Sequence, residues 1–428
     1  MGGQKLRREI EADQLAKLRS LLAVVSVSNP FYSTKLRNAG IHPDLSSLDE
    51  FFAQASFTRK QELIEDQRAS PPYGSNLTYP IERYTRLTQT SSTAGKALHW
   101  LDTPESWGWM LDNWQRVYQA AGVGTGDRIF FAFSFGLFLG FWTAFDAAAR
   151  LGCLRIPGGG MSSAARLGAI LDHAATVLCC TPTYALRLAE VAAEERIDLA
   201  ASKVRRIIVA GEAGGGIPAV RARIEASWPG ARVVDHHGMT ETGPVSYGCP
   251  ARPGILHVIE SGFIAEVIDP DSGHPVPPGG RGELTLTNLG RVGSPLLRYR
   301  TGDLVERAQD GLCECGSYEM ALPGGILARA DDMVVVRGVN VYPSAVEEIV
   351  RGCEGIAEYR VEIDTAHPLP ELRILVEPSI ECADVAGLEK RLQASLRTAL
   401  GLRIAVTRVS RGELPRFEMK AQRWVRRL

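Results

Sequence analysis

The chain has 428 residues, too many for one hydrophobic core, so at least two domains are expected. Hydrophobic residues make up 45% and charged residues 23%, which excludes a disordered or collagen-like chain. A net charge of -1 leaves no electrostatic footprint for nucleic acid, and eight cysteines are too sparse for a disulfide scaffold, which fits a cytoplasmic setting.

The N-terminal MGGQKLRREIEAD is charged and has no apolar core, so no secretory signal is expected. Residues 13–40 have helical character; NPFYSTKLRNAG starts on Asn29-Pro30 and ends on Gly40, a C-cap residue. Short helices are expected over 49–55 and 59–67, then a loop over the Pro- and Gly-rich SPPYGSNLTYP. In TQTSSTAGKALHW, Ser91, Ser92, Thr93 and Lys96 form a hydroxyl-rich loop with a cation. Such a loop cradles phosphates, although it does not match the Walker pattern and Ser/Thr/Gly loops are also plain linkers.

From 105 to 235 helix and strand alternate. Helices are expected over 107–121, after Phe138, and over 164–173, 186–195 and 218–228. Strands are expected over 127–133, 153–156, 176–180, 204–210 and 233–235, which predicts a doubly wound, mainly parallel sheet. No residue from Ile129 to Phe145 is charged, but Gly136 and Gly140 break the run, and a spanning helix needs roughly 20 apolar residues, so no membrane span is expected. The stretch DHHGMTETGP, 235–244, follows a buried strand, at the sheet end where open α/β folds bind ligands. There Thr240 offers a hydroxyl to phosphate, Glu241 a carboxylate to a divalent cation, and His237 a flat ring to a base. As a composition alone it is equally a polar surface loop.

Beyond Tyr247 short strands and turns over 262–269, 282–288 and 296–299 predict a β-rich subdomain, about 247–325, followed by YRTGDL. A boundary is expected near Asp331, dividing a large domain, 1–330, from a compact α+β unit, 331–428. Cys249, His257, Cys313 and Cys315 read C-x7-H … C-x-C. Three thiolates and an imidazole suit tetrahedral Zn²⁺ with no open position, a structural staple; four unrelated residues is the alternative.

Together these motifs resemble the phenylacetate–CoA ligase family of the adenylate-forming (acyl-CoA synthetase-like) superfamily. NPFYSTKLRNAG, STAGK, FGLFLG with IPGGG, TPTYAL, AGEAG, HGMTETGP, ELTLTNL, YRTGDL, RADDMVVVRGVNVYP and LPRFEMKA occur in the family's order over nearly the whole chain. The resemblance implies attack of a carboxylate on the α-phosphate of ATP, giving an acyl-adenylate, then displacement of AMP by the thiol of coenzyme A. It implies Lys420 as the adenylation lysine, Lys96 and a Mg²⁺ on Glu241 for the β/γ-phosphates, and Asp303 and Arg329 for the ribose. Gly211, Glu212 and Ala213, with Asp235, His236, His237, Gly238, Met239 and Thr240, line the nucleotide. His237 stands where the family has a tyrosine. Asp331 is placed at the hinge of a mobile lid, and Arg337, Gly338 and Val339 on the thiol tunnel. The acyl pocket is assigned to Phe135, Gly136, Phe141, Pro157, Gly158, Tyr184 and Pro244. That lining is apolar, without an unpaired cation, and fits an aryl or arylalkyl acid. Ser92 and Ala94 replace a glycine and a threonine of the family's phosphate loop, which loses a hydroxyl and a site of free φ. A carrier-protein thiol or an amine as acceptor, and a non-catalytic nucleotide binder, remain alternatives. A homodimer is expected by analogy only.

Overall fold

The computed structural model describes residues 6–90, 97–337, 339–364, 371–418 and 420–427. The expected phosphate loop Ser91–Lys96 and Gly338 therefore lie outside the described residues.

Five parallel strands run in the spatial order Leu154–Pro157, Arg128–Phe131, Val177–Cys180, Arg206–Val209, Arg232–Asp235. Their side chains alternate between two cores, because successive residues of a strand face opposite sides. Ile129, Phe131 and Cys179 pack under the helices Pro104–Ala120 and Trp142–Arg150. Phe130, Leu178 and Cys180 pack under Ser163–Asp172, Pro182–Glu194 and Pro218–Ser227. Thr103, Ser162 and Thr181 each cap a helix by accepting a backbone N–H, so the strand-to-helix turns are fixed locally. The architecture is the α/β fold expected.

An antiparallel sheet of Phe263–Ile268, Arg281–Asn288, Tyr299–Glu306 and Ala328–Arg329 forms the β-rich part, beside a three-stranded sheet of Ser246–Gly248, Ile255–Val258 and Ala321–Pro323. The N-terminal helices Arg7–Ser28 and Pro30–Asn38 close onto it through Leu18, Leu22, Tyr32, Ile264 and Leu297. A separate core, Val336 to Val406, lies between helices Pro343–Gly352 and Leu388–Leu400 and a mixed sheet whose last strand, Trp424–Arg427, runs parallel to Ile356–Asp364. No helix among the described residues is long and apolar enough to cross a membrane.

Two segments differ from expectation. The helix expected after Phe138 begins only at Trp142; 132–141 is irregular, with Gly140 in the left-handed region at φ 42°, which interrupts a right-handed helix. The strand expected at 296–299 instead runs from Tyr299 to Glu306 and contains YRTGDL. Its pairing slips between Thr285–Arg300 and Glu283–Leu304, a bulge that absorbs Gly302 in the left-handed region at φ 76°. A Cβ at Gly302 would lie 2.9 Å from an Arg329 guanidinium nitrogen, so only glycine fits there.

Candidate active site

The bulge aims Asp303 at the end of the parallel sheet. Its carboxylate is 3% exposed and accepts from His237 Nε2 at 3.0 Å and from Arg329 Nη1 at 3.0 Å. Arg329 also donates to the Thr301 carbonyl at 3.3 Å. A carboxylate has about four lone-pair sites, so both oxygens retain acceptor capacity for hydroxyls. His237 is fixed through its backbone N–H to Ser246 Oγ at 3.1 Å, while its Nδ1 is buried without a partner among the described residues. A buried orphan nitrogen of this kind fits a ligand donor.

Gly238–Met239 and Gly243–Pro244 pair as a tight hairpin that carries Thr240 and Glu241 at its tip. Glu241 is 6% exposed and pairs with Lys60 Nζ at 3.2 Å. The hairpin is held from behind by Arg291, which is fully buried. Its Nη1 donates to the carbonyls of Thr240 at 2.8 Å and Glu241 at 2.7 Å, and Nε and Nη2 both reach Asp102 at 2.7 Å. The sequence reading passes over Lys60, Asp102 and Arg291. A lone arginine in the apolar, Gly-rich TNLGRVGSP is the signal that points to Arg291.

Asp235 ends its strand with its carboxyl nested against Gly215 and Gly325, and burial pushes its pKa up to about 6. His236 is 5% exposed, lies 4.3 Å ring to ring from Trp114, and has its Nδ1 2.6 Å from the Ser246 carbonyl. A carbonyl only accepts, so Nδ1 carries the proton; burial lowers the His236 pKa to about 3 and keeps the ring neutral.

Trp114 leads on to Phe141, then Phe133 and Phe135, a chain of ring contacts at 6.0, 5.3 and 4.6 Å. Gly136 follows Phe135 in sequence, and Pro244 pairs with Gly238 in the hairpin. Tyr184 does not join it. Tyr184 packs on the opposite face of the sheet, where its hydroxyl lies 2.9 Å from Ser163 Oγ. Gly158 contacts Phe130 and the Phe131 carbonyl, and its own carbonyl accepts from Arg166 at 2.8 Å. Arg166, a buried cation absent from the sequence-based assignments, lies 5.0 Å over Tyr184.

The C-terminal tail is docked beside these groups. Glu212 accepts from the backbone N–H of Thr183 at 2.9 Å and of Ala421 at 2.8 Å, tying the residue after Lys420 to the turn after Arg206–Val209. Glu418 accepts from Ser163 at 3.1 Å, and Arg423 donates to Thr183 Oγ1 at 3.2 Å. Lys420 is exposed between these anchors. Asp331 lies in the short 3₁₀ turn Ala330–Asp332. Arg337 and Val339 belong to the hairpin that follows, with Arg337 paired to Glu371 at 2.6 Å. Glu212→Ala is expected to free the tail and lower adenylation about ten- to hundredfold. Thioester formation from a supplied acyl-adenylate should be unchanged, and single-turnover assays of each half-reaction check this.

Comparison with known proteins decides the family. Residues 108–290 match the AMP-binding enzyme family and 338–427 the AMP-binding enzyme C-terminal domain. A phenylacetate–coenzyme A ligase of Thermus thermophilus is 30% identical over 96% of this chain and 95% of its own. That of Pseudomonas putida is 31% identical over 95% and 92%. The chain belongs to the phenylacetate–CoA ligase family. It is an AMP-forming ligase. The crystal structure of a 2-hydroxyisobutyryl-CoA ligase in the postadenylation state with an acyl-AMP superimposes with a TM-score of 0.93 at 29% identity, covering 99% of this chain and 91% of that one. The same ligase in its thioesterification state, with CoA, gives 0.74. The domain arrangement of this family member therefore matches that ligase's postadenylation state better than its thioesterification state.

Proposed function

We propose that this ligase activates an aryl or arylalkyl carboxylic acid. ATP-dependent adenylation followed by CoA thioester formation is the chemistry of its family. The observation that carries the reading is the convergence of His237, Asp303, Arg329 and Glu241 at the carboxyl end of the sheet, with the Lys420 tail anchored beside them. Asp303 is assigned the ribose hydroxyls and His237 the base. The hairpin hydroxyl of Thr240 and the Lys420 ammonium take the phosphate and the acyl carboxylate, whose mutual repulsion is the main barrier to attack. The phosphate loop, Asp331 as hinge, and Arg337, Gly338 and Val339 on the thiol path are proposed on the family's pattern. The aromatic wall from Trp114 to Phe135, whose rings meet in tilted and edge-to-face pairs, supports a planar acyl group, which such rings pack against without a polar cost.

Glu241 fits Mg²⁺, being a buried carboxylate whose present partner is the mobile end of a half-exposed lysine. Bound there, Mg²⁺ would neutralise the polyphosphate. Cys249, His257, Cys313 and Cys315 fit Zn²⁺. Their ligand atoms lie within 4.8 Å of one another, and His257 Nδ1 donates to the Glu319 carbonyl at 3.1 Å, which leaves Nε2 facing Cys315 Sγ at 3.4 Å. Purified protein should contain zinc, and Cys313→Ser should lose it and melt at a lower temperature, read by metal analysis and calorimetry. An unchanged melting temperature in a metal-free variant would sink the staple.

Pyrophosphate–ATP exchange over a panel of aromatic, arylacetic and aliphatic acids tests the substrate class. Exchange confined to aromatic and arylacetic acids is expected; exchange with short aliphatic acids alone would overturn it. Adding CoA, then a carrier protein, identifies the acceptor. Cytoplasmic residence, and a homodimer readable by light scattering, complete the proposal.

A further inference from the structure

Between the large N-terminal part and the C-terminal unit lies a cavity of about 240 Å³, apart from the Asp303 site. Arg187 and Arg223 enter it from helices Pro182–Glu194 and Pro218–Ser227. Arg351, Arg416 and Arg423 enter it from the C-terminal unit. Only Glu190 and Glu358 among the lining residues are acidic.

Four of the five guanidiniums are paired. Arg187 and Arg416 share Glu190 Oε2, at 3.1 and 3.2 Å. Arg416 also reaches Glu377 at 2.6 Å. Arg351 and Arg423 share Glu358, at 3.3 and 2.7 Å, and both also pair with Glu347 behind the wall. Arg223 is different. It makes no ion pair or side-chain hydrogen bond among the described residues; burial and the nearby Arg351 lower its pKa to about 10, against the opposing pull of Glu190, Glu358 and Glu347. The carboxylates nearest Arg223 are already engaged by its arginine neighbours, so its N–H donors lack a direct acceptor, and an oxyanion in the cavity would supply one.

We propose that this cavity is an anion site for a phosphate group, held by Arg223 and its arginine neighbours from both parts of the chain. The planar N–H forks of arginine match the tetrahedral oxygens of phosphate, and the cavity has room for one. The site is assembled only when the two parts stand as they do here, the arrangement shared with the postadenylation state. A ligand that binds one of two arrangements shifts the balance toward it. Occupancy therefore holds the C-terminal unit against the large part and delays the rotation that precedes thioester formation, a consequence that rests on the proposed two-step reaction. The binding itself does not.

Two sources carry the chemistry, free inorganic phosphate and the 3′-phosphate of a coenzyme such as CoA. The test uses the full chain without ATP or acid. Inorganic phosphate and adenosine 3′,5′-bisphosphate are titrated separately at constant ionic strength set with chloride. Amide exchange of the 416–427 tail and calorimetric binding are the readouts. Slower tail exchange with phosphate is expected in the wild type, and Arg223→Gln should weaken binding about tenfold or more. Arg223→Gln removes an unpaired charge, so the variant is expected to fold at least as well. A response to the bisphosphate alone, lost in Arg223→Gln, assigns the site to the coenzyme. Equal behaviour of phosphate, bisphosphate and chloride on the wild type, or an undiminished response in Arg223→Gln, overturns the proposal.

Discussion

Lys420→Ala is expected to lower acid-dependent pyrophosphate–ATP exchange about 10²- to 10³-fold, the usual cost of removing one preorganised charge from a developing anionic transition state. The structure explains why the loss should be confined to one half-reaction. Lys420 is flanked by anchors, Glu418 to Ser163 and Ala421 to Glu212, which hold this stretch of the tail against the large part of the chain, and the proposed role of its ammonium depends on that placement. On the proposed two-step reaction the tail withdraws before thioester formation. Thioester formation from a supplied acyl-adenylate should therefore proceed at the wild-type rate. An equal loss in both half-reactions would show that Lys420 serves the fold or CoA binding instead. Comparing Lys420→Ala with Glu212→Ala separates charge from placement: the first should lose rate at saturating acid, and the second should regain part of it with Glu212→Gln, which keeps one acceptor.

Arg291→Ala is expected to destabilise the protein by about 3–5 kcal/mol, because Asp102 would be left charged and unpaired in a dry interior. Arg291 and Asp102 are both fully buried and joined by two bonds of 2.7 Å. The same substitution strips the carbonyls of Thr240 and Glu241 of their donor, so exchange activity should fall even where the variant remains folded. Chemical denaturation and exchange assays at low temperature read the two effects apart. The paired variant Arg291→Met with Asp102→Leu should recover most of the stability and little of the activity, since apolar packing replaces the ion pair but not the hydrogen bonds to the hairpin. Recovery of both would show that the arginine acts through stability alone.

Much of this was legible in the chain itself. Alternating apolar runs and capped turns from 105 to 235 determine a parallel sheet, because strand and helix periodicities are local properties of the sequence. HGMTETGP, YRTGDL and LPRFEMKA determine the family and the candidate nucleotide residues, since each motif carries its chemistry within a few residues. C-x7-H … C-x-C picks out four side chains whose S and N atoms the fold brings within 4.8 Å of one another.

Other features exist only between distant segments. Arg291 reads as one arginine in a Gly-rich loop until folding sets it against Asp102, 189 positions earlier, and against the hairpin. Tyr184 sits beside the pocket motifs in family order, yet its helix, Pro182–Glu194, packs on the far face of the sheet. Lys60 meets Glu241 across 181 positions, and Glu212 meets Ala421 across 209. Charge pairing, face and cavity depend on which surfaces meet, and that is set by packing rather than by local propensity. The sequence by itself determined the fold class, the family and the reactive residue types; the tertiary structure decided which buried charges support them, and left Arg223 facing an interdomain cavity without a direct ion pair among the described residues.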